Sequence, residues 1–179
     1  MKEIITALQH GQIIAHPTES SWGLGCDPHN FEAVNKLLKL KKRNQEKGLI
    51  LVTGNWQELA SRFPHLEQSQ IDKITAQQDY PCTWLVEDRQ AHFSSLIKGN
   101  HTKVAIRITH HQPLIELTKA YGNPIVSTSA NPTNQPPAFT IKQVVKYFGP
   151  QLRIFEGRLG GLTKSSHIRD LDSGEFIRR

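Results

Sequence analysis

Two short stretches of this sequence carry residue types suited to binding an anionic substrate. Lys41, Lys42 and Arg43, with Lys47 close behind, concentrate fixed positive charge. An arginine holds a phosphate through paired hydrogen bonds and a lysine holds it as a point charge. Cations at a helix C-terminus also oppose the macrodipole while remaining solvated, and spacing alone favours that plainer reading. Ser127-Thr128-Ser129-Ala130-Asn131 follows a short apolar stretch and precedes a proline-rich loop. Hydroxyls and an amide there stand where an α/β sheet opens its binding crevice, although the same residue types also begin turns. Arg107 lies within Val104-Ala105-Ile106-Arg107-Ile108. On the half-buried side of a strand it needs an anionic partner such as a substrate carboxylate, because an unpaired buried charge is costly. An outward-facing surface arginine fits the alternation equally well.

Several other chemistries are excluded or weak. Gly23-Leu24-Gly25 lacks the third glycine of a dinucleotide fingerprint, and no GxxxxGK[ST] occurs, so a standard P-loop is ruled out. The nine histidines include His110-His111 but no HExxH or Cys/His ligand set, which argues against a zinc site. Ser129 has no GxSxG context for a hydrolase nucleophile. Cys26 and Cys82 stand apart and in no CxxC, which reads as reduced thiols in a cytoplasmic protein.

The elements that must position these residues follow from periodicity. Ile4, Ile5 and Leu8 have helical spacing, Gly11 is a stop, and Ile13-Ile14-Ala15 reads as a strand. The segment Pro17 to Gly25, rich in hydroxyls and glycines, follows. Asn30 is a candidate N-cap for a helix carrying Phe31, Val34, Leu37 and Leu38 and ending in Lys39 to Arg43. Asn44-Gln45-Glu46-Lys47 is a charged loop before Leu49-Ile50-Leu51-Val52, a central strand buried on both faces. Trp84 to Val86, Val104 to Ile108 and Ile125-Val126 read as strands, and a helix starts near Pro113. Thr140 caps a helix carrying Val144, Val145 and Phe148. Asp172-Ser173-Gly174 turns a late hairpin between Ile168 and Phe176. This alternation predicts an α/β domain, helices packed on a twisted sheet that the hairpin makes mixed.

The 179 residues suit one domain, residues 1–179, and 37% hydrophobic with 21% charged residues is the composition of a chain that buries a core. Twenty-two Lys+Arg against 16 Asp+Glu give +6, which favours polyanionic partners without naming one. No apolar run approaches the roughly 20 residues of a membrane span, and the N-terminus has no signal-like stretch, so no membrane association is expected.

Taken in order, these segments resemble the YrdC/TsaC family of threonylcarbamoyl-adenylate synthases in its short form. The resemblance rests on His16 to Gly25, on Leu40-Lys41-Lys42-Arg43, on Lys47-Gly48-Leu49, on Val104 to Arg107, on Ser129-Ala130-Asn131 and on Ser166 to Asp170. It implies an open sheet with a basic concave cleft. It further implies a nucleotidyltransferase that forms threonylcarbamoyl-AMP and pyrophosphate from L-threonine, bicarbonate and ATP with Mg²⁺. Carried over by position, Ser20, Arg107, Ser127 and Ser166 surround threonine. Lys41, Arg43, Lys47, Lys103, Ser129, Asn131, Pro137 and Arg178 line the nucleotide site, with Lys41 and Arg43 acting on the phosphates. The adenylate is then expected to pass to a separate transferase complex that modifies tRNA.

The sequence departs from the family pattern at Asn44, where proline is usual, at Lys47, at Ser20, and most in Gln78-Asp79-Tyr80-Pro81-Cys82-Thr83. Fewer prolines and no glycine there imply a less rigid loop. A competing reading is a non-catalytic protein whose basic cleft grips tRNA or double-stranded RNA. Carbamoyl transfer of the hydrogenase-maturation type is a more distant alternative.

Overall fold

The computed structural model describes residues 1–179. Helix α1 (Lys2–Gln9) buries Ile4, Ala7 and Leu8, and Gly11, at φ 66°, turns the chain into β1 (Ile14–Pro17). Strand β2 (Trp22–Cys26) returns antiparallel to it. Helix α2 (Phe31–Lys41) starts where the Asn30 side chain accepts the Ala33 N–H, and it buries Ala33, Val34, Leu37 and Leu38. A 3-10 turn, Gln45–Lys47, leads into β3 (Ile50–Thr53). Two short helices, α3 (Gln57–Ala60) and α4 (Gln68–Thr75), precede β4 (Cys82–Glu87). Then follow α5 (Ser95–Lys98), β5 (Lys103–Ile108), α6 (Gln112–Tyr121) and β6 (Ile125–Ser129). Helix α7 (Ile141–Phe148) opens with a capping box between Thr140 and Gln143. The chain ends in β7 (Arg153–Ile154), β8 (His167–Asp170) and β9 (Phe176–Arg178).

All nine strands form one open sheet in the order β7-β1-β2-β6-β3-β5-β4-β8-β9. Pairs β1/β7, β3/β5 and β4/β8 are parallel and the rest antiparallel, so the sheet is mixed, with β3 at its centre and the expected hairpin at its end.

Successive strand residues face opposite ways, and this alternation locates the cleft. On one face Ala15, Leu24, Leu51, Ile106 and Val126 join the larger core with α2. On the other, Ile14, Val52 and Ile125 pack under α1 and α6, against Ile4, Leu8, Leu114 and Leu117. Farther along β3 and β6, and on β5 beside Val52, that second face carries Ile50, Arg107, Ser127 and Ser129, which line an open cleft. The uncovered part of one sheet face is the site.

The structure corrects two readings. Trp22 to Cys26, assigned to no element from the sequence, is a buried strand, and β6 continues through Ser127 to Ser129. Gly23 and Gly25 have no phosphate-loop role: they admit the buried His16 ring beside β2. A Cβ on Gly23 would stand 2.6 Å from His16 Cε1, and one on Gly25 would stand 2.7 Å from the Val126 carbonyl oxygen. Because backbone blocks the second position, Gly25→Ala is expected to cost about 1–3 kcal/mol of folding stability. Urea unfolding measures it, and a loss below about 0.5 kcal/mol, the scale of a neutral substitution, contradicts the packing.

Candidate active site

Lys41, at the last turn of α2, is buried with 3% of its surface exposed. It is not the solvated loop-end charge that its position in a basic run suggested. Its Nζ donates to the carbonyl oxygens of Ser129 and Asn131, the latter at 2.6 Å. Thr133 answers from the opposite direction, its N–H and hydroxyl both donating to the Lys41 carbonyl at 2.9 Å. The end of α2 is thereby bolted to the end of β6. Lys42 closes the helix in the left-handed region at φ 49° and stays exposed, while the turn it makes brings Arg43 to the cleft.

Arg43 is oriented by Gly48, whose carbonyl accepts from Nη2 at 2.9 Å and Nε at 3.3 Å. Asn44 does locally what the usual proline would do: its side chain accepts the Glu46 N–H at 2.9 Å and fixes the turn that carries Lys47.

The cleft has two lobes. A polar lobe of about 120 Å³ is lined by Ser20, Arg107, Ser127, Ser129 and Ser166, among others. A larger lobe of about 490 Å³ is lined by Lys47, Lys103 and the apolar Leu85, Ala105, Ile168 and Ile177. Arg43, Leu49, Ile50 and Arg178 border both and mark the junction. The four residues expected around threonine therefore meet in one lobe. Of those expected around the nucleotide, Arg43 and Arg178 are at the junction, Lys47 and Lys103 in the larger lobe, and Ser129 in the polar one. Lys41, Asn131 and Pro137 line neither lobe. The Asn131 amide instead donates to the Gln135 carbonyl at 2.5 Å, and its Oδ1 is buried without a partner.

Electrostatically the cleft is strongly biased. No carboxylate lines either lobe, whereas Arg43, Arg107 and Arg178 line the polar one. Burial, with Arg178 beside it, lowers the pKa of Arg43, and burial with Arg107 beside it lowers that of Arg178. Lysine charge is partly neutralised in place. Lys103 Nζ sits 2.7 Å from both Asp170 and Asp172, which outweigh its burial and raise its pKa, and Lys98 pairs with Asp88 at 3.0 Å.

Arg107 is buried on the cleft face, which settles its orientation, and its partner belongs to the protein. Glu19 Oε2 lies 3.5 Å from Nη2, and the Thr109 hydroxyl donates to Glu19 Oε1 at 2.6 Å. Burial pushes the Glu19 carboxyl up, but Arg107 and Thr109 outweigh it and hold it below the usual carboxylate range. Glu19 is absent from the residues read out of the sequence. Its one signal was an acid inside Pro17 to Ser21, and its pairing spans 88 positions. Beside it, His16 is fully buried, and burial lowers its pKa to about 4, so it is neutral.

Burial, with Arg43 beside it, lowers the pKa of Lys41 to about 7. Between about pH 7 and its unfolded value near 10.5 the unfolded chain binds the extra proton, so this lysine makes stability rise with pH. Relative to Lys41→Met, the wild-type chain is therefore expected to gain about 2–3 kcal/mol between pH 6 and pH 9 in urea unfolding. A difference that does not change with pH rules out the depressed ammonium.

The chain is similar to known proteins over nearly its whole length. The model of the family designated Sua5/YciO/YrdC, described as telomere recombination, matches residues 6–179. A threonylcarbamoyl-AMP synthase of Hahella chejuensis is 43% identical over 180 residues, covering 100% of this chain and 97% of the relative. One from Acinetobacter baumannii is 43% identical over 182 residues, covering 98% and 96%. Among solved structures, P. abyssi Sua5 complexed with L-threonine superposes with a TM-score of 0.83 at 21% identity, covering 94% of this chain. This chain spans 50% of that longer protein, and the likeness speaks to the fold.

Proposed function

The chain belongs to the Sua5/YciO/YrdC family, and from that premise we propose that it is an L-threonylcarbamoyladenylate synthase, which makes threonylcarbamoyl-AMP and pyrophosphate from L-threonine, bicarbonate and ATP. The observation that carries this reading is the two-lobed cleft with guanidinium groups and no carboxylate at its junction. Crowded like charges in a half-buried site are relieved by bound anions, and a carbamate meeting a nucleotide α-phosphate supplies them.

In the polar lobe Arg107 takes the threonine carboxylate, and the hydroxyls of Ser20, Ser127 and Ser166 meet its amine and hydroxyl. The larger lobe takes the nucleotide, with Lys47 near its phosphates. The threonine nitrogen, as the free amine, attacks carbon dioxide derived from bicarbonate: an N–C bond forms, a C–O π pair moves onto oxygen, and the nitrogen gives up a proton to water to leave the carbamate. A carbamate oxygen then attacks the α-phosphorus, an O–P bond forms, and the bond to the β-phosphate oxygen breaks to release pyrophosphate. No covalent protein intermediate is required. Arg43 and Arg178 face the charge that develops on the phosphoryl oxygens, and Lys41 acts through them by fixing the end of α2.

Mg²⁺ belongs in this scheme with the nucleotide. The lobes present cations and hydroxyls, and no group of His, Cys, Asp and Glu in the structure has metal-ligand geometry. The nucleotide phosphates would hold it, and no side chain is assigned to it. The product passes to a separate transferase complex that modifies tRNA. The RNA-binding alternative fits less well, because Arg43 and Arg107 point into a cleft of substrate size and not along an exposed stripe.

Pyrophosphate release is expected only when ATP, threonine and bicarbonate are all present. Salt-sensitive RNA binding without that activity would favour the alternative. Arg43→Ala should lower turnover by roughly 10²–10³ in a folded protein, as loss of a transition-state donor does. Arg107→Ala should raise the threonine KM by roughly tenfold to a hundredfold. Unchanged constants in either variant contradict its assigned role.

A further inference from the structure

Residues 155–166 join β7, at one end of the sheet, to β8, near the other. This strap crosses the intervening strand ends and forms one wall of the polar lobe through Ser165 and Ser166. Its first half is held by backbone: Gly160 N–H donates to Thr18 O at 3.0 Å and Leu162 N–H to Glu19 O at 2.9 Å. Gly160 allows that approach, since a Cβ there would lie 2.7 Å from the Glu19 Cα. Its last residue is held by side chains. The Ser166 and Thr83 hydroxyls are 2.8 Å apart, and Arg178 Nη2 donates to Ser166 O at 2.7 Å.

Between Leu162 and Ser166 one hydrogen bond ties the strap down: the Tyr80 hydroxyl donates to Lys164 O at 2.6 Å. The Tyr80 ring also stacks on His167, with centroids 4.6 Å apart and planes at 24°, next to the His167 N–H bond to Pro81 O at 2.9 Å. Tyr80 lies in the segment 78–83 whose sequence implied a slack loop. In the structure that loop reaches across to the substrate wall.

We propose that Tyr80 is a positioning residue that clamps the strap at Lys164 and so sets Ser165 and Ser166 against bound threonine. The proposal rests on the polar lobe being the threonine site. Its physical basis is local stability. A short irregular segment with a single anchor opens more often when that anchor is removed, while the sheet beneath is unaffected. Opening the wall weakens threonine. It reaches the nucleotide lobe and the phosphoryl-transfer step only through Arg178, which is bonded to Ser166 O, since Arg43 and Lys47 are held by other elements.

Tyr80→Phe keeps the ring stack and deletes only the hydroxyl, and Tyr80→Ala removes both. Two readouts separate the clamp from the function. Trypsin cleavage after Lys164, followed by the mass of fragments 1–164 and 165–179, reports strap opening in the free protein. It should accelerate by about fivefold in Tyr80→Phe, the worth of one ordinary hydrogen bond, and more in Tyr80→Ala. In the pyrophosphate assay the threonine KM should rise by a similar factor in Tyr80→Phe, with smaller changes in the ATP KM and kcat and an unchanged Tm. Wild-type cleavage rates in both variants overturn the clamp. So does a parallel rise in the threonine and ATP constants with a lowered Tm, which marks Tyr80 as a general stabiliser. If the wild-type chain releases no threonine-dependent pyrophosphate, the functional reading fails, and the cleavage comparison still decides whether Tyr80 holds the strap.

Discussion

The Lys41 ammonium, buried against the carbonyls of Ser129 and Asn131, is the contact on which the site's geometry depends. Removing an ammonium from water is costly, and only acceptors or negative charge aimed at its N–H groups offset that cost. Here two carbonyls at the end of β6 serve, and the reciprocal bonds from Thr133 to the Lys41 carbonyl make the joint two-sided. A joint of this kind tolerates little displacement. It fixes where α2 ends relative to β6, and Arg43, two residues on, inherits that position.

From this joint the charge distribution of the cleft follows. Arg43, Arg107 and Arg178 line the polar lobe, and the one internal carboxylate paired with them, Glu19, sits behind Arg107 and does not line the cleft. Glu19 steadies Arg107 on a strand where an unpaired guanidinium would be costly, yet leaves the cleft side positive. The aspartates Asp170 and Asp172 play a comparable part for Lys103. In the proposed reaction, fixed cations surrounded by hydroxyls form a preorganised setting for two anions, and no protein nucleophile is needed.

The sheet contributes by what it leaves uncovered. Helices α1 and α6 bury Ile14, Val52 and Ile125, and the next residues on the same face are Ser127 and Ile50. A strand thus changes from core to binding surface within two residues, with no loop needed. The close seat of His16 on Gly23 and Gly25 belongs to the same economy of space. A neutral, fully buried imidazole packs against β2 where a larger strand residue would not fit.

Helix α2 with its Asn30 cap, the central strand β3, β5, α6, α7 and the final hairpin were legible from the sequence, because periodicity and capping are local properties. Strand β2 was not, since its glycines answer to His16 across a strand pair; the four-residue helices α3 and α5 have no side-chain cap to announce them, whereas α4 went unread although Glu67 and Gln70 form a capping box at its start. For the site, the resemblance to the family implied the Ser20, Arg107, Ser127 and Ser166 set that shares one lobe. Whether a cation is buried or solvated has no local signature. The sequence determined that Lys41, Lys42 and Arg43 are all cationic. The tertiary structure alone decided that Lys41 is bonded to backbone, Lys42 faces water and Arg43 faces the cleft. It also decided that Glu19 completes Arg107 and that Tyr80 reaches Lys164, because these contacts join residues far apart in the chain and depend on which faces the sheet brings together.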